Sequence, residues 1–262
     1  MMAIVQRRIS LQSTPSEDRF MRAAIVIPAR WSSSRFPGKP LAMIAGTSLI
    51  QRVYERSVHA RRASTVYVAT DDDRIAEHVA SFGGRVVRPE GDFQSGTDRI
   101  AAALDLLDQP YDIIMNVQGD EPLIDVGSVD TIIDVLATSG VDIATLACPI
   151  DSDEEYYSRD VVKVVADREG NALYFSRAPI PYGSREAAHR HVGLYGYQAQ
   201  VLRTLARIPP SDLERAESLE QLRALQNGFR IRVVQTNRPH LGVDRPEDVA
   251  RVEAELAGGR RS

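Results

Sequence analysis

Four short apolar runs in the first part of the chain constrain its fold most strongly. They occupy residues 25–27, 65–70, 111–117 and 142–148, and they read as continuous apolar stretches rather than alternating ones. Segments with helical periodicity or turn residues separate them. Continuous apolar strands joined by helices are typical of a parallel sheet buried on both faces. The sequence therefore predicts an α/β fold with a mostly parallel central sheet, helices on both faces, and ligands beyond the carboxyl ends of the strands.

The loop after the first run carries three cationic residues, Arg30, Arg35 and Lys39. Small residues such as Ala29 and Gly38 lie between them and allow backbone N–H groups to approach an anion closely. Guanidinium and ammonium groups add charge-assisted hydrogen bonds to phosphate oxygens. We therefore expect a polyphosphate site in this loop. The alternative is a solvated surface loop whose cations pair with nearby carboxylates.

Two aspartates stand where strands or loops end. Asp120 follows the run 111–117, where a carboxylate is placed to hold a divalent ion or simply to form a turn. Asp244 precedes Pro246, and this pattern predicts that Asp244 caps the final helix. Asp120 is therefore the first candidate for a metal ligand.

The loop 92–99 leads into a helix that is expected to continue to about residue 107. Ser95 or Thr97 can cap that helix. Exposed N–H groups at such a helix start also bind anions or the polar edge of a base. Both interpretations, a plain cap and a ligand site, remain open from the residues alone.

The second half of the chain predicts a β-hairpin over residues 161–175 with an exposed tip. Beyond it, Arg177, His191 and Tyr195 are expected at the ends of elements, where a cation, an imidazole and a phenol suit a polyhydroxylated acid. Each also has a structural interpretation, as an ion pair, a buried histidine or a core tyrosine. Apolar residues at 219, 222 and 225 predict a helix over 216–225, with Glu220 and Gln221 on its other faces.

Composition excludes some classes of function. The chain has 262 residues and a net charge of −4, which gives no general attraction to nucleic acid. No apolar run approaches the length of about 18 residues that a membrane span needs, so we expect a cytoplasmic protein. Its single cysteine, Cys148, lies in an apolar run and is expected to be a buried thiol. Residues 1–20 are polar and aperiodic, and they predict disorder or an upstream start site, with Met21 as the alternative initiator.

Several strings resemble one family when they are taken together and in order. They are PARWSSSRFPGKPL, QSGTDR, VQGDEP, YFSRAPIPY, HVGLYGY, LEQLRAL and GVDRPEDV. This set is similar to the 3-deoxy-manno-octulosonate (KDO) cytidylyltransferases over about residues 23–256. The resemblance implies a Rossmann-like nucleotide-diphospho-sugar transferase fold. It divides the chain into an extension (1–22), a nucleotide-binding half (23–150), a sugar-acid-binding and dimerisation half with a smaller β-subdomain (151–256), and a flexible tail (257–262).

The resemblance also implies roles for individual residues. The nucleotide is expected to contact Ala29, Arg30, Lys39, Ser95, Gly96 and Gln118. The sugar acid is expected to contact Gln118, Arg177, His191, Tyr195, Glu220 and Gln221. Asp120 and Asp244 are expected to hold Mg²⁺, and the catalytic set is Arg30, Arg35, Lys39 and Asp120.

The implied reaction is CTP plus KDO giving CMP-KDO and pyrophosphate, by direct attack of the sugar 2-hydroxyl on the α-phosphate. It activates KDO for lipopolysaccharide-type glycans, and the family implies a homodimer with no nucleic-acid or membrane partner. The loop 183–190 is shorter than in some relatives. Another acid, such as 8-amino-KDO or a sialic-acid-like sugar, therefore remains an alternative, as does a non-catalytic nucleotide-binding subunit.

Overall fold

The computed structural model describes residues 21–32, 35–93, 95–237 and 241–258. The expectations for residues 1–20 and 259–262, and for Ser33, Ser34 and Gln94 in the two loops, lie outside the described residues. The end of the predicted extension belongs to the fold, since the backbone N–H of Arg22 donates to Oδ2 of Asp112 at 2.9 Å. Residues 257 and 258 of the predicted tail lie in the final helix.

The secondary structure alternates strands and helices through the first half of the chain. The strands are β1 Ala23–Pro28, β2 Met43–Ile44, β3 Thr47–Ser48, β4 Ala63–Ala69, β5 Val86–Val87, β6 Ile113–Asn116, β7 Ile143–Pro149, β8 Lys163–Ala166, β9 Ala172–Ser176, β10 His189–Gln198 and β11 Ile231–Gln235. The helices are α1 Leu49–Ser57, α2 Asp73–Ser81, α3 Gly96–Ala103, α4 Val126–Thr138, α5 Asp153–Tyr157, α6 Ala199–Leu205, α7 Asp212–Glu217, α8 Gln221–Gln226 and α9 Asp248–Gly258, with 3₁₀ turns at Lys39–Leu41 and Leu104–Leu106.

The central sheet has the strand order β11-β7-β10-β6-β1-β4-β5. β1 pairs in parallel with β4 and β6, and β11 pairs in parallel with β7. β10 is antiparallel to both of its neighbours, β6 and β7. The mostly parallel sheet expected from the sequence is therefore confirmed.

Both faces of the sheet are covered, which explains the continuous apolar runs. Ile25 and Ile27 of β1 join one apolar cluster, which packs against α1, α2, α4 and α9. Ala24 and Val26 point to the opposite face and join a second cluster with α3, α6 and α8. Because successive side chains of a strand alternate between the faces, a strand buried on both faces must be apolar throughout.

The predicted hairpin is present and extends the sheet at one end of β10. β8 pairs antiparallel with β9, and the first residues of β10 pair with β8 where its later residues pair with β6. The hairpin tip packs partly against β11, since the backbone N–H of Val233 donates to the carbonyl oxygen of Gly170 at 2.8 Å.

Three local expectations were wrong. The single helix predicted over 216–225 is two helices, α7 and α8, because Ser218 between them has a left-handed backbone with φ of 54°. Asp244 does not cap the final helix, which begins four residues later at Asp248. His191 and Tyr195 lie inside the ten-residue strand β10 rather than at its ends.

The loops at the carboxyl ends of β1, β4 and β6 meet at one edge of the sheet. The backbone N–H of Ala29 donates to the carbonyl oxygen of Ala69, and that of Val243 donates to the carbonyl oxygen of Asp120, both at 2.9 Å. The second bond brings the segment before α9 to the end of β6. Among the described helices, none combines the length and apolar character needed to span a bilayer.

Candidate active site

Two adjoining cavities open at the carboxyl edge of the parallel strands. The larger has a volume of about 180 Å³ and the smaller about 70 Å³. Gln118, directly after β6, lines both of them. Every residue predicted to bind nucleotide or metal lines the larger cavity: Ala29, Arg30, Arg35, Lys39, Ser95, Gly96, Gln118, Asp120 and Asp244.

Lys39 lies at the centre of the charged end of the larger cavity. Its Nζ is 2.6 Å from Oδ2 of Asp120, 3.7 Å from Oδ1 of Asp244 and 2.9 Å from the carbonyl oxygen of Val243. Arg35 approaches the same Asp244 oxygen at 3.7 Å. The cationic loop and the two aspartates therefore form one cluster, in which positive charge for an anion adjoins a pair of carboxylates.

The two aspartates fit a divalent ion that keeps several other ligands. Both carboxylates contact the same ammonium and so converge on one point, and both remain partly exposed. Within the described ranges, no group of three or more acidic, histidine or cysteine residues is arranged so that it could hold a metal ion. Mg²⁺ commonly binds through one or two carboxylates, with water and substrate phosphates completing the octahedron. The pair is suited to such an ion and not to an all-protein metal cage.

The single tryptophan, Trp31, anchors the cationic loop, a role that no pattern in the sequence indicated. The guanidinium of Arg74 lies 3.3 Å from the centre of the Trp31 ring and is held by Asp72, the N-cap of α2. Gly38 packs on the same ring; its φ is 70°, and an added Cβ would come within 3.0 Å of it. The sequence places Trp31 in the same loop as Gly38, but it contains no signal that pairs Trp31 with Arg74 of α2.

The opposite end of the larger cavity is formed by the start of α3. Ser95 is the N-cap, and its Oγ accepts from the backbone N–H of Asp98 at 3.1 Å. A Cβ on Gly96 would approach Pro28 to 3.1 Å, so a small residue is needed there. The expected cap is thus confirmed, with Ser95 rather than Thr97 as the capping residue.

Arg99, which was not among the predicted site residues, also lines this end of the cavity. Its buried guanidinium lies 2.8 Å from Asp71 at the end of β4 and 4.9 Å from the centre of the Phe93 ring. The Nη1 atom makes no well-formed hydrogen bond within the described residues. The signal in the sequence was its position three residues after Gly96, which places both on one helix face.

The smaller cavity is lined mainly by polar side chains. Tyr195 and Tyr197 of β10, Glu220 and Gln221 before and in α8, and Thr97 of α3 line it. The Tyr195 hydroxyl and the Gln221 Nε2 are buried and make no well-formed hydrogen bond within the part of the chain described. Buried polar groups are normally satisfied, so these two indicate a polar ligand.

Glu220 joins the two cavities. Its Oε1 accepts from Ser95 Oγ and its Oε2 accepts from Thr97 Oγ1, both at 2.9 Å, and Arg223 lies 3.3 Å away. Burial raises the pKa of this carboxyl, and the two hydroxyl bonds oppose that rise.

His191 lies behind the smaller cavity rather than in its wall. Its Nε2 is 3.0 Å from Oγ1 of Thr145, and its ring lies 5.3 Å from that of Tyr195 and 5.1 Å from that of Phe175. Burial lowers the pKa of His191 to about 3, so the imidazole is neutral near pH 7. The residue is placed to support Tyr195.

Arg177, like His191, is a predicted site residue that the structure does not place in the walls of the cavities. Its Nε donates to the carbonyl oxygen of Glu217 at 2.9 Å, and its Nη1 donates to that of Arg159 at 3.0 Å. The side chain lines neither cavity. In this arrangement it fixes the segment between α7 and α8, which carries Glu220.

Comparisons with known proteins identify the family of this chain. A family model described as cytidylyltransferase matches residues 24–231. The 3-deoxy-manno-octulosonate cytidylyltransferase of Syntrophotalea carbinolica is 51% identical over 91% of this chain and 100% of its own length. That of Geobacter metallireducens is 46% identical over 90% of this chain and 98% of its own. Among solved structures, a CMP:2-keto-3-deoxy-manno-octonic acid synthetase complexed with CTP superposes with a TM-score of 0.86 at 40% identity, over 91% of this chain and 99% of that one.

Proposed function

The chain belongs to the cytidylyltransferase family, and from this premise we propose that it transfers the cytidylyl group of CTP to 3-deoxy-manno-octulosonate, giving CMP-KDO and pyrophosphate. The relatives named above carry this activity in their names and match almost the whole chain. The single observation that carries the proposal is the pair of cavities that share Gln118. One has cations for a triphosphate and carboxylates for a divalent ion. The other has buried polar groups that make no well-formed hydrogen bond within the described residues and that suit a sugar acid.

The reaction needs positioning and charge neutralisation more than covalent chemistry. The sugar 2-hydroxyl oxygen forms a bond to the α-phosphorus while the bond from that phosphorus to the pyrophosphate oxygen breaks. The hydroxyl proton passes to solvent. Gln118, at the junction, is placed to contact both substrates where the new bond forms.

The cations of the first loop serve the triphosphate. Lys39, Arg30 and Arg35 line the same wall of the larger cavity, where they neutralise phosphate oxygens and the departing pyrophosphate. Ser95 and Gly96 at the other end face the base. Because the cations and the start of α3 lie at opposite ends of the cavity, the nucleotide lies with its triphosphate at one end and its base at the other.

We assign Asp120 and Asp244 as the residues that hold Mg²⁺. Their convergence on one ammonium supports this assignment. When bound, the ion supplies Lewis acidity toward the hydroxyl and neutralises charge at the α-phosphate. Lys39 must then move its ammonium from the carboxylates toward the phosphates, a short displacement for a flexible side chain.

The sugar acid is assigned to the smaller cavity. Tyr195, Gln221 and Glu220 offer a hydroxyl, an amide and a carboxylate to its polar groups. His191 acts behind them through Tyr195. Arg177 lines neither cavity. For Arg177 to contact the sugar acid, the segment between α7 and α8 that it holds must move when substrate binds.

The setting of the reaction is also part of the proposal. We propose a cytoplasmic homodimer that supplies CMP-KDO for lipopolysaccharide-type glycans. Exposed apolar side chains in the second half support an interface there, since Leu173 of β9 and Tyr182 are exposed by 62% and 102%. Light scattering on a size-exclusion column tests the dimer; a monomer at micromolar concentration would exclude it.

Pyrophosphate release from CTP and Mg²⁺ tests the function. KDO is compared with its 8-amino analogue and a sialic acid, and each other nucleoside triphosphate replaces CTP in turn. We expect turnover with CTP and KDO. Turnover with another acid alone would discard the sugar assignment, and no turnover with any acid would favour a nucleotide-binding subunit.

Tyr195→Phe is the variant that links this activity to the smaller cavity. It removes only a hydroxyl that makes no well-formed hydrogen bond within the described residues, so we expect a higher KM for KDO with little change in the KM for CTP. A hydroxyl–ligand bond is worth about 0.5–1.5 kcal/mol, which predicts a rise of about two- to twelvefold. An unchanged KM would place the acid elsewhere.

A further inference from the structure

The link between the two cavities is a pair of hydroxyls on one carboxylate. Ser95 Oγ and Thr97 Oγ1 each donate to a different oxygen of Glu220 at 2.9 Å, across more than 120 residues of sequence. Both hydroxyls belong to the N-terminal turn of α3, and Glu220 immediately precedes α8. The start of α3 is thus bonded to the residue that the sugar acid is expected to contact.

The two sides of this turn face different cavities. Ser95 and Gly96 line the larger cavity, while Thr97 and Glu220 line the smaller one. Ser95 Oγ has a second bond, from the backbone N–H of Asp98, which fixes the turn internally. Movement of the turn on one side must therefore be transmitted to the carboxylate on the other.

The far side of Glu220 is fixed as well. Arg223, which is only 5% exposed, lies 3.3 Å from Oε1 of Glu220 and donates two bonds to Glu214 at 2.9 and 2.8 Å. Glu220 is therefore held between α3 and a rigid arginine on α8. A carboxylate has about four lone-pair positions, so acceptor capacity remains for a ligand hydroxyl.

We propose that Thr97 is a positioning residue which, together with Ser95, holds the Glu220 carboxylate in place for the sugar acid and couples the two substrate sites. The proposal rests on the proposed function and assigns to Thr97 a role that it exerts through its bond to Glu220. Nucleotide seated against Ser95 and Gly96 orders the start of α3, and this order fixes Glu220. A fixed side chain loses less rotamer freedom on binding, so each substrate strengthens the binding of the other.

The test compares Thr97→Val with Thr97→Ser. Valine keeps the shape of threonine and removes the donor, whereas serine keeps the donor. We expect Thr97→Val to raise the KM for KDO by about tenfold, the effect of losing one hydrogen bond to a charged group, with kcat and the KM for CTP within about twofold. Thr97→Ser is expected to restore the KM for KDO. Thr131→Val, which removes an exposed hydroxyl from α4, is the matched control.

The coupling has its own readout. In the wild-type protein, the KM for KDO is expected to fall by at least about fivefold between low and saturating CTP, and this dependence is expected to weaken in Thr97→Val. In a double-mutant cycle with Glu220→Gln, the two changes are expected to be non-additive because they remove one unit. Additive effects, or a serine variant as impaired as the valine variant, would overturn the proposal.

The outcomes distinguish the failure of the Thr97 role from the failure of the proposed cytidylyl transfer. Wild-type turnover with unchanged constants in Thr97→Val overturns the positioning role alone. No wild-type turnover with KDO overturns the proposed function and this inference together. Far-UV circular dichroism checks that the variants fold; if Thr97→Val does not, Thr97→Ala is held to the same KM criterion.

Discussion

The ammonium of Lys39 lies 2.6 Å from a carboxylate oxygen of Asp120, although 81 positions separate the two residues in sequence. The contact joins the loop after β1 to the loop after β6. It also places a cation where the two aspartates converge, since Asp244 lies 3.7 Å from the same atom. If Asp120 and Asp244 hold a divalent ion as proposed, Lys39 and that ion compete for the same pair of carboxylates.

Replacing Lys39 by Met should separate these two roles. In the absence of nucleotide, we expect Lys39→Met to bind Mn²⁺ more tightly than the wild type, because no ammonium competes for the carboxylates. Its KM for CTP is expected to rise by about 10- to 150-fold, corresponding to about 1.5–3 kcal/mol for a bond to a charged group. Electron paramagnetic resonance of free Mn²⁺ measures the first effect. Arg35→Met, 3.7 Å from Asp244 alone, is the control, and equal ion affinity in Lys39→Met and the wild type would contradict the competition.

Asp120→Asn tests the metal assignment. The amide keeps the size of the side chain but removes its charge, so we expect kcat to fall by about 10²-fold or more, as when a group that stabilises the transition state is lost. Mn²⁺ binding in the presence of CTP is expected to weaken in the same variant. Asp130→Asn, at a half-buried position on α4 where the carboxylate accepts from the backbone N–H of Arg62, controls for the loss of a carboxylate as such. Turnover near that of the wild type would show that Asp120 is not a metal ligand.

The contact between Arg74 and Trp31 predicts an effect on nucleotide binding alone. A cation–π contact at an exposed site is worth about 0.5–1 kcal/mol, so Arg74→Gln should raise the KM for CTP by about two- to fivefold and leave kcat unchanged. Trp31 is the single tryptophan of the chain, and its fluorescence should therefore report CTP binding directly. Arg62→Gln removes a comparable ion pair with Asp134 and should leave both readouts unaltered. A lower kcat in Arg74→Gln would mean that the loop also aligns the reacting groups.

His191 predicts a pH dependence of stability. Its pKa is lowered to about 3 by burial, against about 6.5 in an unfolded chain. Between pH 6.5 and pH 3 the imidazole is therefore protonated in the unfolded state but neutral in the folded state. The free energy of unfolding falls as the pH decreases through this range, by up to about 1.4 kcal/mol per pH unit. Urea unfolding of the wild type and His191→Gln at pH 7 and pH 5 measures the difference. The stability of the glutamine variant should fall less, and an equal fall would show that His191 titrates normally; His59→Gln controls for the loss of an exposed imidazole.

Local signals predicted the elements of the nucleotide half well. The apolar runs that became β1, β4, β6 and β7 were correct to within two residues. These elements carry their own information, since apolar runs must be buried and Ser48, Asp72 and Ser95 supply the caps that start their helices. The prediction of a single helix over 216–225 was wrong because apolar periodicity does not reveal the left-handed backbone of Ser218, which divides the segment.

The sequence by itself determined the fold class, the cationic loop and the aspartates, because burial patterns and charged residue types are readable along the chain. Only the tertiary structure decided that Asp120 and Asp244 converge on Lys39, that Trp31 packs on Arg74, and that Arg177 turns away from the cavities. It also decided that Ser95 and Thr97 meet Glu220. Such contacts join residues far apart in sequence, and their geometry depends on how the sheet orders its strands rather than on any local pattern.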